Sequence, residues 1–534
     1  MAKAKRTQKP EPVVKPVEPE LTSLSPSWWW AGCVVVTAVG AFLRLYKLGL
    51  KPFHHDEGVN GFFMTSLVRQ GVYHYNPKDY HGPSLYYFAL ASTKLFGLNG
   101  MALRLTPVVF GLATIVLVLC LRRYIGAVGA LSAGLLLAVS PGAIYISRYF
   151  IHETLFVFFT LVIVVALLRW HRTTNVTYLI AAAASAALLF ATKETAFISI
   201  GVLVIAGLMV AGLAIAQADR KVLRREGVTG FVRGHLARDL ERFGGATGLA
   251  VQLFAAVSAF VIVYVVFFSS FFTHRTGVLD SFKAYTLWGQ TGTKEHTTNG
   301  WYAYLWWSRK SEFPLFVIGG IGALLAVWSR RNLTAIFIAL WAWGMFAAYT
   351  LIPYKTPWLA LNFVIPLALV SGVAFDWLGH GTANREGKVI AGTLLLAATL
   401  FCGYWAIQLN FYHYDDDDYP YVYAHSKREM LALVDEINKY AAKSEGTESG
   451  IIFCSPDYWP LPWYLRDYTR VGFYGKISPP GNSAIMIGRS DQREELDTML
   501  LGRYRMTGEF PLRPGVVLLL YVRNDLVEGG EPPK

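Results

Sequence analysis

Two acidic and two imidazole side chains stand together directly after the first long apolar segment of the sequence. They form the stretch HHDEG at residues 54–58, and the apolar segment covers 28–45. A charged group near a bilayer is costly and usually faces a wet cavity, so this stretch is a candidate site. Asp56 could act as a general base on a hydroxyl group, with Glu57 orienting that group or helping to hold a metal. As a compatible alternative, Asp56 could cap a helix over 57–69 with acids in its first turn.

Cationic side chains mark three other points where apolar segments end. They are Arg148, Lys193 and Lys355, and Glu153 and Glu194 lie close by in the sequence. Fixed cations stabilise a developing negative charge, and an arginine can bind a phosphate through two parallel hydrogen bonds. The alternative is structural, because long cationic side chains also reach toward the membrane surface or pair with nearby carboxylates. The pattern leaves both interpretations open.

The imidazoles raise the question of a metal site. The candidate ligands are His54, His55, His152 and Glu153, together with Asp56 or Glu57. Their spacing is irregular and differs from the HExxH helix of zinc enzymes, so hydrogen-bonding imidazoles are favoured. The acidic run at 415–418 could bind Ca²⁺, although such runs are usually solvated, and a solvated linker is favoured. No cofactor is assigned, and a divalent cation is left open.

The composition is that of a polytopic membrane protein. Of the 534 residues, 54% are hydrophobic and only 16% are charged, whereas a soluble domain carries about a quarter of charged residues. The formal net charge of +13 does not indicate nucleic-acid binding, because the basic residues are scattered at the ends of apolar segments. An anionic membrane surface or an anionic lipid explains them better. The four cysteines show no CxxC spacing, so neither a structural disulfide nor a metal cluster is expected.

About eleven apolar segments are candidate membrane spans. They cover residues 28–45, 105–121, 126–145, 150–168, 177–191, 197–215, 249–271, 314–329, 333–352, 358–377 and 389–408. Residues 1–27, rich in Lys, Glu and Pro, are predicted to be a disordered tail. Loops on the side of this tail carry more Lys and Arg, so the positive-inside rule places the N-terminus in the cytoplasm of a multi-pass plasma or inner membrane protein. The long first loop, 46–104, is then extracytoplasmic, and its segments 58–70 and 84–97 are predicted to lie at the interface.

A membrane domain over 28–409 is followed by a soluble extracytoplasmic region, 410–534. Helices are predicted in that region over 427–443, 459–468 and 492–501, and strands over 450–454, 470–474, 484–488 and 516–522. This alternation predicts a small α/β layer domain. The expected fold class is therefore a polytopic α-helical membrane protein of about eleven spans with a small C-terminal α/β domain.

A series of short motifs follows the Asp-Glu pair. It contains an amphipathic segment, Gly82-Pro83, LFG at 95–97 and ALRL at 102–105 before a long apolar segment. This order resembles the N-terminal half of the GT-C membrane glycosyltransferases, in particular the protein O-mannosyltransferases and the lipid A aminoarabinose transferases. Later motifs resemble a narrower group, the flippase-activity-associated proteins of glycosylation loci. They are RYFIHE at 148–153, KET at 193–195, YKTPW at 354–358 and DYWPLPW at 457–463.

The resemblance implies an inverting transfer of a sugar from a polyprenyl-phosphate donor at the outer membrane face. Asp56 matches the family's catalytic aspartate, with Glu57 as its support, and Arg104 matches the arginine before the second long span. Many relatives have a Lys-Pro pair where this chain has His81-Gly82-Pro83, and in some of them that lysine contacts the donor phosphate. His81 would have to be protonated to do the same. Substrate contacts are expected from His55, His81, Arg104, Arg148, His152, Glu153, Lys193, Glu194 and Lys355.

Three functional hypotheses follow. The first is an enzyme of the cell envelope that transfers a sugar from a polyprenyl-phosphate donor to an extracytoplasmic protein, lipid or glycan. The second is a flippase component that moves a lipid-linked glycan without cleaving it, which the absence of an evident inverted repeat or broken-helix pair disfavours. The third concerns the C-terminal region alone, as a module that recruits the acceptor. Donor, membrane lipid and acceptor are the expected partners, and nucleic acid is not.

Overall fold

The architecture is a bundle of apolar helices followed by a small mixed sheet. The computed structural model describes residues 21–79, 81–217, 220–294, 300–330, 332–381 and 385–527, so most of the predicted tail lies outside the described residues. The helices of the bundle are α1 (Pro26–Leu45), α2 (His55–Gln70), α3 (Ser84–Phe96), α4 (Gly100–Leu119), α5 (Arg122–Ile125), α6 (Ala127–Val139), α7 (Pro141–Ser147), α8 (Glu153–Thr173), α9 (Val176–Phe190), α10 (Ala196–Ala216), α11 (Arg220–Arg242), α12 (Gly245–Phe268), α13 (Gly277–Gly292), α14 (Ala303–Ser308), α15 (Phe313–Ser329), α16 (Leu333–Leu351), α17 (Leu361–Gly381) and α18 (Arg385–Ile407).

All of the predicted apolar segments are helical, but they do not all form straight spans. Within the described ranges, eight helices are long and apolar enough to cross a membrane, and two bent pairs raise the number to ten. The eight are α1, α4, α8, α10, α12, α16, α17 and α18. The remaining predicted segment is α9, which has only 15 residues. The chain is a multi-pass membrane protein.

The two bent helix pairs were not predicted from the sequence. Helices α6 and α7 meet at an angle of 61°, and the segments Gly300–Ser308 and Phe313–Ser329 meet at 103°. Pro141 begins α7, and because proline has no N–H to donate, the backbone of α6 cannot continue through it unbroken. The expectation that the chain has no broken-helix pair is therefore wrong.

Helix α2 carries the acidic pair, and its first turn differs from the predicted one. The N-cap is His54, whose ring accepts from the Asp56 N–H, while the Glu57 side chain accepts from the His54 N–H. This reciprocal arrangement is a capping box. Asp56 is thus a first-turn residue and not the cap, which leaves its carboxylate free to point away from the helix end.

The C-terminal region is the predicted α/β domain. Its helices are α19 (Met430–Ala442), α20 (Leu461–Tyr464) and α21 (Arg493–Leu500), and its strands are β1 (Ile451–Phe453), β2 (Val471–Phe473), β3 (Ile485–Arg489), β4 (Tyr504–Arg513) and β5 (Val516–Arg523). The sheet order is β2-β1-β3-β5-β4, with β1 parallel to β2 and β3, and β5 antiparallel to β3 and β4. Strand β4 was not predicted from the sequence. It is an edge strand with two register shifts, and its Gly508 and Pro511 weaken the strand pattern.

The segment around α20 holds α2 in place. Trp463 stacks on Phe53 with ring centroids 4.9 Å apart, and the Phe53 N–H donates to the Tyr464 hydroxyl at 2.8 Å. A Cβ at Gly58 would stand 2.4 Å from the Pro460 Cβ, so the backbone of α2 lies directly against this segment. The C-terminal domain thereby forms part of the support of the acidic pair.

Candidate functional site

A cavity of about 280 Å³ opens beside the first turn of α2. Its wall comes from α2, the 78–86 stretch, the joins that precede α8 and α10, the end of α16 and the turn before α17. The polar and aromatic lining residues are His55, Asp56, Asn60, Phe63, Lys78, His81, Tyr86, His152, Glu153, Lys193, Glu194, Thr195, Trp288, Tyr349, Tyr354 and Trp358. Most of the predicted site residues therefore meet at one place, although they come from distant parts of the chain.

Asp56 is the carboxylate that the cavity leaves accessible. Its side chain is 43% exposed, whereas those of Glu153 and Glu194 are 5% and 2% exposed. The His55 Nδ1 lies 3.1 Å from Asp56 Oδ1. Burial would raise the pKa of Asp56, but the hydrogen bond with His55 and the nearby imidazoles outweigh it and hold the pKa below the usual aspartate value. The group is therefore a carboxylate at neutral pH and can accept a proton.

Glu57 points away from the cavity and forms a buried ion pair. Its Oε1 and Oε2 accept from Arg104 Nε and NH2 at 2.7 and 2.6 Å, and Oε1 also accepts from the Phe150 N–H at 2.9 Å. Arg104 further donates to the carbonyls of Leu48, Lys51 and Pro52. Neither Glu57 nor Arg104 lines the cavity, so the geometry gives them a supporting position behind α2 and no contact with a molecule in the cavity.

Arg148 and Lys355 also lie outside the cavity lining. The Arg148 guanidinium donates to the carbonyls of Leu43, Arg44, Tyr46 and Lys47. The first two carbonyls lie in the last turn of α1 and the other two directly follow it, so Arg148 caps the C-terminal end of that helix. Lys355 is buried and donates to the Ile352 carbonyl at 2.6 Å. Two of the three cations that the sequence suggests as phosphate ligands therefore bind backbone carbonyls in this structure.

Lys193 is the buried cation that does line the cavity. Its Nζ lies 2.7 Å from Glu153 Oε1, and both side chains are almost fully buried. Burial alone would lower the pKa of Lys193, but the carboxylates of Glu153 and Glu194 outweigh it and raise the pKa, so the ammonium group stays charged. This position combines a fixed positive charge with access to the cavity.

His81 stands next to this pair because the backbone around it fits closely. The Gly82 N–H donates to the Thr192 carbonyl, and a Cβ at Gly82 would lie 2.1 Å from the Ala191 oxygen, so only glycine fits. His81 Nδ1 lies 3.0 Å from Glu194 Oε2. At the position where the resemblance expects a Lys-Pro pair, this chain therefore has an imidazole that is held by a buried carboxylate.

His152 is close to His81 but serves a different purpose. Its Nε2 lies 3.2 Å from the Gly82 carbonyl, and its ring centroid is 4.9 Å from that of His81. Burial holds the pKa of His152 well below its usual value, and the charges of His81 and Lys193 act in the same direction. A neutral His152 that donates to Gly82 fixes the turn on which His81 sits.

The imidazoles do not gather into a metal site in the described part of the chain. No group of three or more His, Cys, Asp or Glu side chains in the described ranges is arranged to hold a metal ion. His54 instead contacts the Tyr423 carbonyl at 3.0 Å and stacks on His425. The acidic run at 415–418 is neither a bare solvated linker nor a cation site, because Asp415 pairs with Arg428 and Asp417 with Lys427.

Several cavity residues were not selected from the sequence. Asn60 accepts from the Tyr86 hydroxyl at 2.8 Å and donates to the Phe150 carbonyl at 2.9 Å, which ties α2 and α3 to the join before α8. Tyr349 lies within an apolar segment, where nothing in the pattern distinguishes it from a core residue. Lys78 carried a signal, since it is a cation in the first loop, and Trp358 belongs to one of the motifs already noted.

Known proteins share this fold. Residues 80–232 match the family described as dolichyl-phosphate-mannose-protein mannosyltransferase. ArnT from Cupriavidus metallidurans is 16% identical, with 96% of this chain and 100% of that chain covered; the TM-score is 0.57 for the apo state and 0.56 for the structure bound to undecaprenyl phosphate. The oligosaccharyltransferase of Archaeoglobus fulgidus, tethered with an acceptor peptide containing the NVT sequon, is 15% identical over 95% of this chain and 77% of that chain, with a TM-score of 0.52. No curated protein sequence matches the chain.

These likenesses confirm the resemblance at the level of the superfamily. The chain has the GT-C fold, a bundle of membrane helices with a small C-terminal sheet domain. The fold and the matched segment relate the chain to the superfamily of GT-C membrane glycosyltransferases. The narrower group of flippase-activity-associated proteins stays a prediction.

Proposed function

We propose that this protein transfers a sugar from a polyprenyl-phosphate donor to an extracytoplasmic acceptor, with inversion, and that Asp56 is the general base. The observation that carries the proposal is that one accessible carboxylate, Asp56, lines the same cavity as buried Lys193 and His81. The solved ArnT structure with undecaprenyl phosphate shows that a protein of this fold binds such a lipid. The proposal places the cavity and the C-terminal domain outside the cytoplasm and the N-terminus inside.

The chemistry divides between the two sides of the cavity. An acceptor hydroxyl hydrogen-bonded to Asp56 loses its proton to the carboxylate as its oxygen attacks the anomeric carbon. The bond from that carbon to the phosphate oxygen breaks on the opposite side, and the phosphate leaves with the electron pair. Lys193, charged and held by Glu153, stabilises the negative charge that develops on the leaving group. Lys78 adds positive charge to the same lining, and the His81 imidazole adds a hydrogen-bonding group there.

The test is Asp56→Asn, which keeps the shape and removes the base. Purified protein is reconstituted with undecaprenyl-phosphate sugars labelled in the sugar, and host-cell membranes supply acceptors. We expect the transfer of label out of the lipid fraction to fall by about 10²–10⁴-fold, the usual contribution of general base catalysis. Asp467→Asn is the matched control, because that carboxylate is exposed on the C-terminal domain. Full activity of Asp56→Asn, in protein that elutes and melts like the wild type, would remove Asp56 from the mechanism.

The two bent helix pairs are the observation that favours the second candidate, transport of a lipid-linked glycan. Transporters bind anionic substrates at the free N-termini of such broken helices. Here the N-terminal donors of α7 are already used, because the Gly142 N–H and the Ser140 hydroxyl donate to Glu312 Oε1 at 2.9 and 2.8 Å. Movement of label across vesicles with the sugar still attached to the lipid, and no transfer, would favour transport over the enzyme.

The acceptor-binding role of the C-terminal domain also stays a proposal. Trp459 brings that domain to the cavity side of α2, with its ring 6.3 Å from His55 and 6.1 Å from Phe62. Aromatic faces stack on sugars and peptides, so Trp459→Ala is expected to raise the KM for the acceptor and to leave donor binding unchanged. Deletion of the domain is a poor test, because Trp463 and Tyr464 support α2. An unchanged acceptor KM would remove Trp459 from acceptor binding.

A further inference from the structure

A second large groove lies at the other end of the helix bundle, between α1 and α4. Its volume is about 760 Å³. The apolar wall contains Trp30, Val34, Ala38 and Ala41 of α1 and Val116, Leu119 and Cys120 at the end of α4, and the polar end contains Arg122, Arg123 and Arg169. From Trp30 to Ala41 the helix rises about 17 Å, which is close to half of the hydrocarbon thickness of a bilayer. The groove therefore has the length of one leaflet.

A cationic pocket continues from this groove. It has a volume of about 430 Å³ and is lined by the 21–24 segment and by Arg122, Arg123 and Arg172. The groove and the pocket share Trp29, Trp30 and the first two of these arginines. An apolar groove that ends in a cationic pocket matches the two parts of an anionic lipid. The hydrocarbon chain fits the groove, and the anionic headgroup fits the pocket.

Four arginines supply the charge of this region: Arg122 and Arg123 line both the groove and the pocket, Arg169 lines the groove and Arg172 lines the pocket. In the ranges that the structure describes, none of them has a carboxylate within ion-pair distance. Arg122 lies over the ring of Trp29 at 4.8 Å, which fixes its direction without cancelling its charge. The carboxylate of Asp376, which lies near the pocket, accepts from Thr22 instead. Three arginines line the groove and three line the pocket, two of them shared, and this set of like charges favours an anion with several acceptor oxygens, such as a phosphate.

The position of the groove decides which lipid fits. Arg104, behind the Asp56 cavity, stands in the first turns of α4, and Arg122 follows the end of that helix. Twenty residues of helix separate the two ends by about 30 Å, the thickness of the hydrocarbon core. A donor lipid held in the groove would have its phosphate at the membrane face opposite to the cavity. The groove is therefore not a second part of the donor site.

We propose that this groove binds an anionic glycerophospholipid. Its phosphate contacts Arg122, Arg123, Arg169 and Arg172, and one acyl chain lies along α1 between Trp30 and Ala41. This site is independent of the activity assigned to the Asp56 cavity.

The headgroup is tested by native mass spectrometry of the full-length protein. Delipidated protein is titrated with phosphatidylglycerol and, separately, with phosphatidylcholine, whose choline cancels the phosphate charge. We expect tighter binding of phosphatidylglycerol, and about ten-fold or greater weakening in the double variant Arg123→Gln/Arg169→Gln. Arg330→Gln, an exposed arginine that does not line the groove, is the matched control. Equal binding of the two lipids, or an unchanged double variant, would overturn the proposal.

The acyl-chain groove is tested by filling it. Ala38→Trp places a ring in the groove and is expected to abolish the retained phosphatidylglycerol, whereas Val35→Trp, on an exposed face of the same helix, is expected to keep it. Competition identifies the occupant further. Displacement of phosphatidylglycerol by equimolar undecaprenyl phosphate in the wild type and in Val35→Trp would show that the groove holds a polyprenyl lipid, and the proposal would be wrong. If undecaprenyl phosphate does not displace phosphatidylglycerol, the result supports the proposal.

Discussion

The ion pair between Glu57 and Arg104 makes the sharpest prediction about how the site is held. Glu57→Gln removes one charge and one acceptor from a fully buried cluster while it keeps the shape. Arg104 would then be an uncompensated buried cation, because its other acceptors are the neutral carbonyls of Leu48, Lys51 and Pro52. The amide NH₂ of glutamine cannot accept, so the N–H of either Phe150 or His54 would lose its acceptor.

The magnitude follows from these losses. Removal of one partner of a buried ion pair costs about 3–5 kcal/mol, and an orphaned buried donor costs about 1–3 kcal/mol. Because the two terms overlap, we expect a loss of about 3–5 kcal/mol in the free energy of unfolding. The double variant Glu57→Gln/Arg104→Gln removes both charges and is expected to cost less than the sum of the two single variants.

The assay is unfolding in mixed micelles of dodecylmaltoside and sodium dodecyl sulfate, followed by circular dichroism of the helices. The control is Asp467→Asn, which removes an exposed ion pair with Arg69, a residue of α2. This variant is expected to lower the free energy of unfolding by less than about 1 kcal/mol. The reasoning is refuted if Glu57→Gln unfolds within about 1 kcal/mol of the wild type. It also fails if the single and double variants are strictly additive.

The same pair has a pH signature. Burial raises the pKa of Glu57, but the Arg104 charge outweighs it, so the folded-state pKa lies below the usual value of 4.5. The unfolded chain therefore binds the proton more tightly, and the stabilisation is complete above about pH 4.5 and is lost as the pH falls through the folded-state pKa. Glu57→Gln should show a weaker loss of stability than the wild type between pH 5 and the acid limit.

Three further outcomes are expected. Since the pKa of Asp56 is held below 3.8, kcat/KM should show no acid limb above about pH 4 from this group, and an acid limb above that pH in both the wild type and His55→Gln would contradict this expectation. Gly58→Ala, whose Cβ would stand 2.4 Å from the Pro460 Cβ, should lower activity and thermal stability together, as seen in a melting curve. Lys193→Met should leave Glu153 buried without its cation and lower donor turnover at least ten-fold, with partial recovery in Lys193→Arg.

The glycine and lysine variants each have a matched contrast in the chain. Gly71 has positive φ but open space around its Cβ position, so Gly71→Asn should be tolerated where Gly58→Ala is not. Lys94→Met, an exposed lysine at the end of α3, should leave turnover unchanged. Normal activity of Gly58→Ala would mean that α2 and the 459–464 segment are not closely packed in solution.

The sequence by itself predicted the helical elements and seven of the residues that line the cavity. Apolar runs of helical length predict helices wherever they occur, because burying backbone polar groups in lipid requires them, and each predicted segment is helical. The Asp-Glu pair after the first span was visible as an expensive charge at a membrane edge, and Asp56 does face a cavity. The alternation of the C-terminal region likewise predicted its sheet, apart from β4, whose Gly508 and Pro511 weaken the strand pattern.

Tertiary structure decided which charged side chains are available. Asp56 and Glu57 are neighbours in sequence, but the turn of α2 directs Asp56 into the cavity and Glu57 toward Arg104, about fifty residues away. Arg148 resembles Lys193 in sequence context, yet it reaches the carbonyls that end α1, whereas Lys193 reaches Glu153 at the cavity wall. A long side chain binds whatever the fold brings within its reach. Sequence spacing therefore selects the candidate charges, and only the packed chain assigns them to ligand or to backbone.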